Sequence, residues 1–102
     1  MEFMERSRIM VIGSNVTTVQ RVSRYCLEQG AEVLPYYGIP TDEEIALFAP
    51  HVSVLCLPMP KDFQQQIGQP YIFWSEHLMN QGIPFVSNPT ELHTRLQKVL
   101  QA

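Results

Sequence analysis

Five short apolar runs, each followed by turn residues or by a stretch with helical spacing, give this chain its most regular pattern. Arg8-Ile9-Met10-Val11-Ile12 ends at Gly13-Ser14-Asn15, which predicts a strand breaking into a turn. From Val16 to Gln29, Val19, Val22 and Cys26 recur on one face while Arg21, Arg24 and Glu28 fall elsewhere. That is the pattern of an amphipathic helix, and Gly30 is placed to stop it. Glu32 to Tyr36 predicts a second strand. Thr41 followed by Asp42, Glu43 and Glu44 predicts an N-capped helix whose early carboxylates suit its positive end, with Ile45, Leu47 and Phe48 as its buried side. Val52 to Leu57 predicts a third strand, and the polar segment from Lys61 to Ile67 a brief helix anchored by Phe63 and Ile67. Tyr71-Ile72-Phe73-Trp74 is continuously apolar, as a strand buried on both faces should be. Ser75 to Gln81 predicts one more short helix stopped by Gly82, and Ile83 to Ser87 a fifth strand. The last helix starts at Pro89 or Thr90 with Leu92, Leu96, Val99 and Leu100 as its inner stripe.

Strands alternating with helices imply an α/β fold: a parallel sheet covered by helices on both faces and connected by right-handed crossovers. No internal repeat, low-complexity tract or linker interrupts the alternation. Residues 8–102 therefore read as one domain, and residues 1–7 as a flexible N-terminal segment or residues foreign to the natural chain. With 102 residues, 45% of them hydrophobic and 17% charged, the chain supports one hydrophobic core and is not a disordered tail.

The net charge of −3, with Lys and Arg scattered singly, argues against a nucleic-acid or acidic-membrane surface. No apolar run approaches the ~20 residues of a membrane span, and Met1 to Arg6 lacks the apolar core of a signal peptide. The expected setting is cytoplasmic and reducing, without membrane insertion. Cys26 in a helical pattern and Cys56 in a strand pattern read as buried thiols. His51, His77 and His93 share no ligand spacing, so neither metal nor cofactor is implied.

The order of elements, together with Cys56 at a strand end and Met59-Pro60 just after it, resembles the receiver domain of response regulators (CheY-like). The resemblance extends from about Arg8 to Leu100 and rests on spacing more than on any one motif. It implies a flavodoxin-like (βα)₅ three-layer sandwich with strand order 2-1-3-4-5, in which the third and fourth helices are shorter than the family's. In the family, an acidic pair after the first strand holds Mg²⁺; here those positions carry Gly13 and Ser14, followed by the family-like Asn15. Cys56 stands at the phosphoacceptor aspartate. Ser75 corresponds to the hydroxyl residue closing the fourth strand, Asn88 to the lysine before a proline, and Phe85 to the aromatic switch residue.

Aspartyl phosphorylation needs a carboxylate nucleophile and a hard, oxygen-rich Mg²⁺ site. Gly13 offers no ligand, Ser14 a neutral hydroxyl, and Cys56 a soft sulfur that Mg²⁺ does not favour. The resemblance thus implies a degenerate pseudo-receiver with a pocket of Gly13, Ser14, Cys56, Ser75 and Asn88, and Ser75 and Phe85 as switch-like residues. The function it implies is protein–protein interaction in two-component signal transduction. The partner would be a histidine kinase, a phosphotransfer or regulator domain, or a second copy of the chain. The faces expected to meet it are the first helix (Asn15, Arg21, Arg24) and the last strand–helix pair (Phe85, Arg95). Tyr36 and Tyr37 add to this surface, because adjacent residues of a strand cannot both face the core and one should be exposed.

The alternative is a small-molecule binder, for a nucleotide or CoA-like anion, that uses Gly13, Ser14 and the crevice near Cys56 and Ser75. Gly13-Ser14-Asn15 precedes a helix whose free N–H groups could cradle phosphate, and Val11 to Pro35 resembles the opening of CoA-binding Rossmann-like domains. It lacks the spacing of a glycine-rich phosphate motif. A catalytic reading ranks below both: Cys56 at a strand tip has no neighbouring His or Lys to lower its pKa, and no general base stands beside any nucleophile.

Overall fold

A computed structural model of the chain describes residues 6–58, 62–63, 68–76 and 85–101. Its centre is β1 (Arg8–Gly13), flanked by β2 (Glu32–Tyr37) on one side and β3 (Val52–Cys56) on the other, with β4 (Tyr71–Trp74) beyond β3. All pairs are parallel, in the order β2-β1-β3-β4. The expected fifth position continues at the outer edge of β4. There Val86 makes a parallel bridge to Trp74, its N–H donating to Phe73 O at 2.9 Å and its carbonyl accepting from Ser75 N at 3.0 Å. Residues 83–84 of that predicted strand lie outside the described residues.

Among the described residues three helices cover the sheet: α1 (Val16–Leu27), α2 (Asp42–Phe48) and α3 (Pro89–Gln101). The pleat of β1 divides the core between two faces. Ile9 and Val11 face α1 and α3, packing with Val19, Val22, Cys26, Val54, Trp74, Leu92 and Leu96. Met10 and Ile12 face the other way, with Ile45 of α2, Leu55 and Phe63. Both faces of β1 and β3 are therefore covered, which is why these strands are apolar at nearly every position. Val99 and Leu100 of the expected α3 stripe are half-buried at its margin.

Each helix has a visible local cause. Asn15 caps α1, its Oδ1 accepting from Thr18 N at 3.1 Å, and Gly30 turns the chain afterwards at a φ of 77°. Thr41 and Glu44 form a reciprocal capping box on α2, which ends on left-handed Ala49. Asn88 caps α3, its Oδ1 accepting from Glu91 N at 2.9 Å while the Glu91 carboxylate accepts from Ser87 N at 3.0 Å.

The structure corrects three expectations. Leu47 is 87% exposed and forms no part of the buried side of α2; Ile45 and the half-buried Phe48, three residues apart, do that alone. Tyr71 is 43% exposed and lies edge-on to Phe73, so β4 is not covered on both faces at its start. Ser75 and Glu76 are not helical, so no helix begins at Ser75. Residues 77–82 lie outside the described residues, as does most of the helix expected after the third strand, of which only Asp62 and the buried Phe63 are described.

Candidate functional site

The carboxyl ends of the parallel strands gather at one edge, where open α/β sheets form their ligand crevices. β1 ends there at Gly13, whose carbonyl accepts from Gly38 N at 2.9 Å. A β-carbon added to Gly13 would stand 2.9 Å from Cys56 Cβ and 2.9 Å from Val19 Cγ2. The closing residues of β1 and β3 thus touch each other and the first helix with no space between. Cys56 pairs in turn with Trp74, and Ser75, 2% exposed, follows Trp74.

Of the five residues expected to line a pocket, Gly13, Cys56 and Ser75 are buried at this edge, whereas Ser14 and Asn88 are exposed. The Asn88 carbonyl oxygen is committed to capping α3. Among the described residues, the depression at the strand tips measures about 110 Å³ and is lined by Asn15, Thr18, Leu57, Pro58, Trp74 and Glu76. Only Asn15 had been singled out for function. The reason is steric: Gly13 has no side chain, Cys56 belongs to the core under α1, and Asn88 is held by its own helix. The small volume lies below the ~300 Å³ at which ligand pockets begin, which weighs against a nucleotide held by these residues.

Burial sets the chemistry of the two thiols. Both are free; burial pushes the Cys56 pKa up to about 12, and burial, then the charge of Cys56, pushes Cys26 up to about 12. Thiolate is the nucleophilic form, so neither sulfur is activated at neutral pH. Among the described residues no group of three or more His, Cys, Asp or Glu side chains could hold a metal ion. His51 accepts from Arg8 N through Nδ1 at 2.9 Å, and His93 Nε2 lies 3.1 Å from Tyr25 O.

The expected interaction residues divide by exposure. Arg24 and Arg95 are exposed, and Tyr37 is 47% exposed at the end of the edge strand β2. Tyr36, its neighbour, is half-buried and donates its hydroxyl to Glu44 Oε1 at 2.7 Å. That bond raises the Tyr36 pKa, while the Thr41 N–H, then the Tyr36 hydroxyl, lower that of Glu44. Phe85 is half-buried beside α3 and lines a shallow depression with Thr94, Arg95 and Lys98. Arg21 is ion-paired to Glu76, whose other carboxylate oxygen accepts from Thr18 Oγ1 at 3.4 Å. No local pattern announces that contact, because Arg21 and Glu76 are 55 residues apart.

A scan against protein-family models found no match, and a search of curated proteins found none either. Solved structures do match. The beryllium-fluoride-activated N-terminal receiver domain of Klebsiella pneumoniae RstA superposes with a TM-score of 0.71 over 94% of this chain and 100% of its own, at 15% identity. The fold is that of a receiver domain. The activated DrrB receiver domain superposes on this receiver fold with a TM-score of 0.67, at 17% identity over 96% of this chain and all of its own. PhyR from Bartonella quintana, described as an anti-anti-sigma factor, matches over 95% of this chain and 48% of its own, with a TM-score of 0.65 at 15% identity. At these identities the likeness is one of architecture.

Proposed function

We propose that the chain is a receiver-like regulatory module of two-component-type signalling that takes no phosphoryl group and acts through protein contact. The observation carrying this reading is the closure of Gly13 upon Cys56 and Val19. It leaves no room for a carboxylate at Gly13, the first of the two positions where the resemblance would put a Mg²⁺ ligand, and burial keeps the thiol at the acceptor position protonated. A metal-binding carboxylate needs open space and oxygen partners, and a thiol held neutral supplies neither nucleophile nor hard ligand.

The module is non-catalytic and works in the cytoplasm as a single domain from residue 8 onward. Its partner is a histidine kinase, a phosphotransfer domain or a regulator domain. The exposed Arg24 on α1 and Arg95 on α3 supply candidate contacts, joined by Tyr37 at the sheet edge. Among the described residues no helix is long and apolar enough to cross a membrane.

Incubation with acetyl phosphate and Mg²⁺, followed by intact-mass measurement, tests this reading. The expected result is an unmodified chain under conditions that label an acidic-pocket receiver run alongside. A phosphoryl adduct that hydroxylamine removes would overturn it, because it would reveal an acyl phosphate.

A further inference from the structure

β2 forms one side of the sheet: it pairs with β1, and among the described residues no strand lies beyond it. Two hydrogen bonds fix which of its backbone groups face outward. Glu32 N donates to Ser7 O at 2.8 Å, and Gly38 N donates to Gly13 O at 2.9 Å. Between them the register with β1 is unbroken from Glu32 to Tyr37. Backbone groups of a strand alternate sides, so Leu34 and Tyr36 also turn their N–H towards β1. Val33, Pro35 and Tyr37 hold the outward positions. Pro35 is the middle one of the three, and it has no N–H to offer.

We infer that Pro35 blocks strand addition at this edge, and that the strand it excludes is β2 of a second copy of the chain. Nothing else on β2 bars such pairing. Val33 packs on the α1 side of the sheet and Leu34 and Tyr36 on the α2 side, so these side chains lie above and below the edge. The strand's one charge, Glu32, stands at its start. Val33, Tyr36 and Tyr37 favour extended structure, and an edge of that composition is a template for another strand. In a two-fold antiparallel pairing centred on position 35, that residue would exchange two hydrogen bonds with its counterpart. With proline in both copies, neither bond forms and two carbonyl oxygens face each other. Because the missing donor is an outward one, the same proline removes no bond between β2 and β1. The inference does not depend on phosphoryl chemistry, and it leaves the side chain of Tyr37, not the backbone, to meet a partner at this edge.

The experiment restores the donor with Pro35→Thr and follows mass by sedimentation over a wide concentration range, with far-UV circular dichroism confirming the fold. The mass of the variant should climb with concentration towards about twice the parent's value, as a two-fold pairing requires. Amide hydrogen exchange on the same samples locates the contact. The outward amides of Val33, Tyr37 and the new Thr should exchange more slowly as concentration rises, because the added strand occupies them. In the unmutated chain the Val33 and Tyr37 amides should exchange fast at every concentration, and that measurement decides should the variant fail to fold. A folded Pro35→Thr that keeps the parent's mass throughout overturns the inference. So does self-association that leaves these amides fast, or protection of them that grows with concentration in the unmutated chain.

Discussion

Replacing Gly13 by alanine is expected to cost about 1–3 kcal/mol of folding stability, the usual penalty for overfilling a packed core. The new methyl group would meet Cys56 Cβ and Val19 Cγ2 at 2.9 Å each, closer than carbon atoms approach without displacement. Neither neighbour yields easily. A β-carbon is fixed by its backbone, and Cys56 is held in β3 by its pairing with β4. Val19 is fully buried on α1, and a β-branched side chain in a helix has one strongly preferred rotamer. The remaining adjustment is a shift of α1 away from the sheet, which would loosen the contacts of Val22 and Cys26 further along the same helix. Urea unfolding should show a lower midpoint with an unchanged slope. A variant as stable as the parent would mean that β1, β3 and α1 do not meet at Gly13.

Cys56→Asp, the substitution that restores an aspartate at the phosphoacceptor position, is expected to destabilise the fold and still fail to create an acceptor. Cys56 is 4% exposed within the core under α1 and α3. A carboxylate there has no cation among the described core residues, and an uncompensated buried charge typically costs about 3–5 kcal/mol. The folded state answers by holding the group protonated, which raises its pKa above the unfolded value of about 4. The sign of the pH dependence follows. A raised folded-state pKa contributes stability below the unfolded pKa and loses it as pH rises towards the folded pKa. The deficit of the variant relative to the parent should therefore widen from about pH 4 towards neutrality, the interval above the ordinary carboxyl pKa. A neutral acid next to Gly13 and Ser14 has no partners for Mg²⁺, so phosphate uptake should stay absent. Denaturant titrations across that pH range measure the deficit. A variant of parental stability at neutral pH, or one labelled by acetyl phosphate, would contradict it.

The periodicity of apolar residues carried most of the architecture. Val19, Val22 and Cys26 were placed on one helical face by spacing alone and are all fully buried, and β4 runs from Tyr71 to Trp74 as read. The errors fall where the pattern is too short to discriminate. In a seven-residue helix, three apolar side chains within four positions do not define a face. Ile45 and Phe48 are one turn apart, whereas Leu47 is about 200° from Ile45 around a helix of 3.6 residues per turn. Tyr71 opens the last full strand, where cover on one face runs out.

The site was harder to read for a different reason. Analogy put Asn88 at the pocket, but an Asn before Pro89 with Glu91 three residues on is equally a helix cap, and the cap governs where its side chain goes. Gly13 and Cys56 were visible as chemical substitutions. Their mutual contact was not, since it depends on parallel pairing of strands more than 40 residues apart. The same holds for Glu76, whose partner on α1 becomes apparent only once the fold brings the two together.

The most direct test is a titration of the isotope-labelled protein with beryllium fluoride and Mg²⁺, followed by heteronuclear NMR. This reagent mimics a phosphoryl group on an aspartate and accompanies the activated neighbours with which the chain shares its fold. Resonances of Gly13, Cys56, Ser75 and Val86 should hold their positions through the whole addition. Saturable, Mg²⁺-dependent movement of that group would show a working acceptor site and would contradict a module that signals by contact alone.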